Sequence, residues 1–138
     1  MTDEAFGAAF GEIITNPTNG VAPLGEYMND VSVAASNQDF NSLFAISNKA
    51  RSESQDLRLE VVNFKNDNKG KFTKKQAKIV DSFLDAMETY TEAMRSVATG
   101  VREQDAARME KGAEQILEFN EKIEHFNELS TKFLGQFE

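Results

Sequence analysis

The feature that most constrains the fold is an apolar repeat of seven residues in the second half of the chain. Apolar side chains recur at this interval at Val80, Met87, Met94 and Val101. A helix with this spacing carries an apolar stripe that it must bury against other helices. No segment alternates apolar and polar residues as a half-buried strand does. The sequence therefore predicts an all-α fold.

Two other long segments, residues 40–65 and the last segment of the chain, carry apolar stripes whose side chains differ in size. In residues 40–65 the middle of the stripe is made of small side chains, Ser47, Ala50 and Ser54. In the last segment, large rings recur every seven residues at Phe119, Phe126 and Phe133, and Phe137 follows. Large rings opposite small side chains fill a core evenly. We therefore expect the last helix to face the small residues.

Turn and capping residues divide the single predicted domain, 1–138, into five helices. Their predicted bounds are 2–15, 23–36, 40–65, 74–99 and 105–136. Thr73 and Gln76 have the spacing of a capping box, and Gly100 is a predicted helix stop. Short connections force sequential helices to run antiparallel. We predict an antiparallel four-helix bundle of two helical hairpins, with an extra short N-terminal helix.

A weak internal repeat relates the two predicted hairpins. In each of them a helix with a Val-Ala pair reaches a short turn, and a Gln-Asp pair opens a longer helix. These pairs are Gln38-Asp39 and Gln104-Asp105. One explanation of this likeness is the duplication of a hairpin. The other is convergence, because two similar turns require similar capping residues.

The sequence contains none of the motifs of common enzyme classes. The absence of cysteine excludes thiol nucleophiles, cysteine-bound zinc and iron–sulfur clusters. Di-iron bundles require Glu-x-x-His pairs, but the single histidine, His125, follows Lys122 at that spacing. We therefore expect no enzymatic activity, no cofactor and no metal. The alternative is an enzyme or ligand binder with a pocket beside Ser47, Ala50 and Ser54.

Charge is unevenly distributed along the chain, whose net charge is −8. Residues 1–48 contain six acids and no lysine or arginine. Six lysines then lie within 65–78: Lys65, Lys69, Lys71, Lys74, Lys75 and Lys78. The overall charge disfavours nucleic acid as a partner. The lysines predict a site for an anionic partner, either an acidic protein or membrane headgroups, although a solvated hairpin end is the structural alternative.

The N-terminal segment supplies a second candidate for binding. Phe6, Phe10, Ile13 and Ile14 share one face of an acidic helix. Such a helix either completes the core or docks on a partner in a groove. We expect it to complete the core.

These features together predict a soluble, non-enzymatic interaction module that binds another macromolecule, with a protein as the expected partner. The helix pattern and composition are also similar to those of two alternatives. One is an extracytoplasmic, lipoprotein-like domain whose anchor is missing, and the other is a small immunity or inhibitor protein. A native Met1 predicts a cytoplasmic location, whereas removal of a signal or anchor predicts an extracytoplasmic one. The oligomeric state is left open.

Overall fold

Five helices make up nearly all of the chain that the structure, a computed structural model, describes, residues 1–134. They are α1 Asp3–Ile14, α2 Val21–Ser36, α3 Phe40–Asp67, α4 Lys74–Glu103 and α5 Ala106–Leu134. The predicted all-α class is confirmed, and these residues contain no strand. No helix in this range is long and apolar enough to cross a membrane. The predicted helix end at 135–136 and Phe137 lie outside the described residues.

Helices α3 and α4 begin where the sequence provides side-chain capping groups. Thr73 Oγ1 accepts a hydrogen bond from Gln76 N at 3.2 Å, and Gln76 Oε1 accepts one from Thr73 N at 3.0 Å, which completes the predicted capping box. Asp39 caps α3 by accepting hydrogen bonds from the hydroxyl and the backbone N–H of Ser42. These two bonds lower the pKa of Asp39. Side-chain capping thus explains both starts.

The prediction that Gly100 ends α4 is wrong. The helix continues for another turn, and Gln104 ends it in a left-handed conformation, with φ of 54°. A Cβ atom on Gly100 would lie 2.7 Å from Met109 Cγ on α5. One on Gly112 would lie 2.7 Å from Val97 Cγ2 on α4. Both glycines therefore permit close contact between α4 and α5.

The two helical turns related by the sequence repeat also share their backbone geometry. Gln38 and Gln104 both have φ of 54°. Asp39 N donates to the carbonyl oxygen of Ala34 at 2.9 Å, and Asp105 N donates to that of Gly100 at 2.8 Å. Each turn thus closes the last turn of one helix and starts the next helix at an aspartate. Duplication remains a hypothesis, because the same geometry meets the same capping requirement.

Helix α4 is the most deeply buried element, and it packs along both α3 and α5. Ser54 on α3 meets Thr91 on α4, and Lys65 meets Asp81, so these helices run antiparallel. The ring of Phe119 on α5 packs on Tyr90, with centroids 5.1 Å apart. Helix α2 packs on α3. These contacts fit a helical bundle.

The expected pairing of α5 phenylalanines with the small residues of α3 is wrong. Ser47, Ala50 and Ser54 are completely buried, and Ser54 Oγ lies 2.8 Å from Thr91 Oγ1 on α4. Small side chains let these two helices approach closely instead of leaving room for rings. The space is filled, so the ligand pocket suggested for this position is not formed.

Two phenylalanines of α5, Phe126 and Phe133, instead meet the N-terminal helix. Phe6 and Phe10 of α1 are buried, which places this helix on the core as expected. The ring of Phe6 contacts that of Phe133, and the ring of Phe10 contacts that of Phe126. The cluster is completed by Phe64, Phe72 and Phe83. Helix α1 thereby closes the core between α3, α4 and α5.

Candidate functional site

The six lysines of the predicted site surround the connection between α3 and α4. Lys65 lies in the last turns of α3, Lys69 and Lys71 in the loop, and the other three in the first turns of α4: Lys74, Lys75 and Lys78. Gly70 turns the loop with φ of 80°, a left-handed conformation that favours glycine. The fold thus brings all six backbone positions to one end of the molecule, which we call the lysine end.

Two of these lysines are engaged by the protein itself. Lys65 is half-buried, and its Nζ lies 2.6 Å from Asp81 Oδ1 on α4. Lys75 Nζ lies 5.5 Å from the centroid of the Phe133 ring. Such a contact attracts the ammonium to the aromatic face. Lys65 and Lys75 therefore connect helices as well as contributing charge.

The remaining four lysines of the lysine end are exposed: Lys69, Lys71, Lys74 and Lys78. Within residues 1–134, none of them forms an ion pair. No acidic residue occupies the first turn of α4, where the helix dipole adds further positive potential. The lysine end is therefore a concentrated positive surface on a negatively charged chain.

Gln76 joins α1 to the lysine end, a role that the sequence did not indicate. Its side chain is fully buried, and its Nε2 donates to the carbonyl oxygen of Met1 at 2.9 Å and to Asp3 Oδ1 at 2.8 Å. The capping-box spacing identified its bond to Thr73 but not these two. They depend on the tertiary position of α1, which has no local sequence signal.

His125, the only histidine, lies on a shallow groove beside the lysine end. The groove also includes Lys74, Lys78, Asp81 and Asp85. His125 is exposed, and the charges around it are of both signs. In the described part of the chain, no three histidine, aspartate or glutamate side chains converge as metal ligands.

An apolar groove, which the sequence did not predict, lies between α2 and α5. Its volume is about 660 Å³, and its lining includes Met28, Val31, Leu43, Val97, Met109 and Ile116. The apolar spacing on α2 and α5 predicted that both helices pack in the core. Spacing alone does not show that the apolar faces of these two helices are separated from each other. We call this feature the α2–α5 groove.

A smaller cavity, of about 290 Å³, lies between α3 and the loop that joins α1 to α2. Glu53, Asp56 and Glu60 line it together with polar residues of the loop. The pKa of Tyr27 is raised to about 12 by a hydrogen bond to the Glu53 carboxylate, by burial and by nearby acids together. The last residue of this acidic surface, Glu60, precedes Lys65 of the lysine end by more than one turn of α3.

Comparison of the chain with protein-family models, curated proteins and solved structures finds no match.

Proposed function

We propose that this protein is a non-enzymatic interaction module that binds an acidic partner protein through the lysine end. The observation that carries the proposal is the set of four exposed lysines without ion pairs, Lys69, Lys71, Lys74 and Lys78. A partner with carboxylates at matching positions would neutralise them and would be attracted over a distance.

Stability alone gives no reason for the lysine that opens α4. Like charges repel, and a cation in the first turn of a helix opposes the helix dipole, at a cost of about 0.3–1 kcal/mol each at low salt. Lys74 stands at the first position of α4, inside the turn where this effect acts. A placement that lowers stability supports a role in binding.

A protein partner suits the rest of the surface better than a polyanion does. The chain has a net charge of −8, so an extended nucleic acid would be repelled outside the lysine end. A folded acidic partner can contact the lysine end alone. An anionic membrane could do so as well, and the experiment below separates the two.

We also propose that the helices form an antiparallel four-helix bundle in which α1 and α2 share one position end to end. Phe10 of α1 contacts Phe83 on α4, whereas the carbonyl of Leu24 on α2 accepts a hydrogen bond from Tyr90, two turns farther along α4. This supports α1 and α2 as two parts of one broken helix. In this arrangement α1 is part of the bundle, whereas the sequence predicted α1 as an extra helix beside four bundle helices.

The function is tested by affinity capture from the native organism with matched variants. We expect the wild-type chain to retain a protein that the Lys69→Glu/Lys71→Glu variant loses, because the variant repels acidic surfaces. Bound protein should elute as salt screens the charges. The control, Lys49→Glu/Lys111→Glu, changes the net charge equally but alters exposed lysines away from this end.

Circular dichroism should show equal helicity and melting for both variants. Retention of the same partner by both would contradict the proposal. If vesicles containing phosphatidylserine bind the wild-type chain, and only the variant at the lysine end loses that binding, a membrane replaces the acidic protein as the partner.

A further inference from the structure

The α2–α5 groove lies at the end of the molecule opposite the lysine end, beside the turns at Gln38 and Gln104. On α5 it extends from Met109 to Asn120. At a rise of 1.5 Å per residue this is about 16 Å, or three helical turns. The length and the volume of about 660 Å³ suit the apolar face of a short helix better than a single side chain.

The groove has a buried floor and half-exposed apolar walls. Val31, Leu43 and Val97 form the floor. Met28 on α2 and Met109 on α5 contribute flexible walls, which can adapt to an incoming side chain. Phe40, which is 52% exposed, also lines the groove, and Leu117, which follows the lining residue Ile116, is 66% exposed.

The outer edge of the groove on α5 is acidic. The groove residues of α5 are Met109, Ala113, Ile116 and Asn120. Gly112 and Phe119, which precede two of them, face α4. The residue that follows each groove residue therefore lies on the other side of the groove, away from α4. These following residues are Glu110, Glu114, Leu117 and Glu121. All three glutamates are exposed, and in the described chain none forms an ion pair.

The opposite wall has no positive charge to balance this row. Helix α2 contains Glu26 and Asp30 but neither lysine nor arginine. An occupant of the groove therefore meets apolar surface in the middle and carboxylates at its margin. A second copy that paired through its own α2–α5 groove would bring another acidic margin to this one, and electrostatic repulsion disfavours such a pair.

We propose that the α2–α5 groove binds an amphipathic helix of a partner protein, with its apolar stripe in the groove and basic side chains along the glutamates. Helices bind in grooves of this type through apolar residues spaced three and four apart. The basic flank gives specificity and faster association. This site is independent of the lysine end and selects the opposite charge, so one molecule can hold two different partners.

The probe for this site is a synthetic peptide of about 14 residues with leucines on one helical face and lysines elsewhere. A matched peptide carries glutamate in place of every lysine. Calorimetry should give a dissociation constant in the micromolar range for the lysine peptide and binding at least about tenfold weaker for the other. Amide chemical shifts should change along α2 and α5.

Two arginine substitutions on α5 distinguish the groove from general attraction to an acidic protein. Ala113 lines the groove and is exposed, so Ala113→Arg should block it without disturbing the core and weaken binding at least about tenfold. Ala107 is also exposed but does not line the groove, so Ala107→Arg should leave affinity within about twofold. Equal weakening by both variants would overturn the proposal.

The remaining outcomes are equally decisive. Equal affinity of the Lys69→Glu/Lys71→Glu variant, whose lysine end no longer attracts the glutamate peptide, for the two peptides would exclude a selective basic helix. If the uncharged dye Nile red enters the groove and the lysine peptide does not displace it, the occupant is a small apolar molecule and the proposal fails. The Lys69→Glu/Lys71→Glu variant should bind the lysine peptide no less tightly than the wild type, so failure here is separate from failure at the lysine end.

Discussion

At the scale of single residues, Gln76 serves two helices with one amide group. Its oxygen accepts the Thr73 N–H and so starts α4, while its nitrogen donates to Met1 O and Asp3 Oδ1 and so holds α1. A fully buried amide needs all of these partners, because an unpaired polar group in the core is destabilising. The capping box therefore also determines where the N-terminus lies.

We predict that Gln76→Glu destabilises the protein, although glutamate is itself a good capping-box residue. The change keeps the acceptor for Thr73 but removes both donors and places a carboxylate beside Asp3. The expected loss in the free energy of unfolding is about 2 kcal/mol, measured by urea denaturation. Gln55→Glu, at an exposed position of α3, is the control and should change it by less than about 0.5 kcal/mol. Equal effects of the two changes would contradict this role.

At the scale of elements, the turns after α2 and α4 are closed by glutamine in a conformation that favours glycine. A left-handed backbone brings the Cβ atom of a non-glycine residue close to the following carbonyl oxygen. Gln38 and Gln104 accept this strain, and Asp39 and Asp105 immediately start the next helices. The strain is local to each turn, so its relief should not alter the packing of the helices.

We predict that Gln104→Gly stabilises the protein by about 0.5–1 kcal/mol, because glycine adopts positive φ without strain. Thermal and urea unfolding measure the gain. The matched control is Gln55→Gly in the middle of α3, where glycine should lower stability by about 1 kcal/mol. A loss in both variants would mean that the Gln104 side chain makes a contribution greater than the backbone strain.

At the scale of the whole molecule, the aromatic cluster joins segments that are far apart in the chain. The ring of Phe10 contacts those of Phe64 on α3, Phe83 on α4 and Phe126 on α5. Since α1 contributes to the same cluster as the central helix, we infer that it unfolds together with the bundle. A separately detaching N-terminal helix does not fit this packing.

We predict that Phe10→Ala lowers the free energy of unfolding by about 3 kcal/mol while unfolding remains a single transition. Native-state hydrogen exchange should show faster global opening of α4 as well as of α1. Phe40→Ala, which removes a ring that is 52% exposed, is the control and should cost less than about 1 kcal/mol. Faster exchange confined to α1 would instead indicate a detachable helix.

Local signals in the sequence were sufficient for the helices and several of their ends. Apolar spacing depends on the helical repeat, and caps such as Thr73 and Asp39 act within four residues, so both can be recognised without a structure. The prediction for Gly100 was wrong because the role of this residue depends on a contact with another helix. A glycine near a helix end is typical of a C-terminal cap. Here the glycine is instead needed because Met109 of α5 packs closely against it.

Of the two candidate sites, one could be predicted from local sequence and the other depends on the tertiary structure. The lysine end could be predicted because its six lysines lie within 65–78, on two helices and one short loop that any hairpin brings together. The α2–α5 groove could not be predicted, because Met28 and Met109 have the spacing of core residues and only the separation of two distant helices leaves them half-exposed. Helix formation is governed by interactions between near neighbours, whereas the pairing of helix faces depends on how all five helices share one core. That pairing placed Phe126 and Phe133 of α5 against α1, closed the space at Ser47, Ala50 and Ser54, and left the groove open.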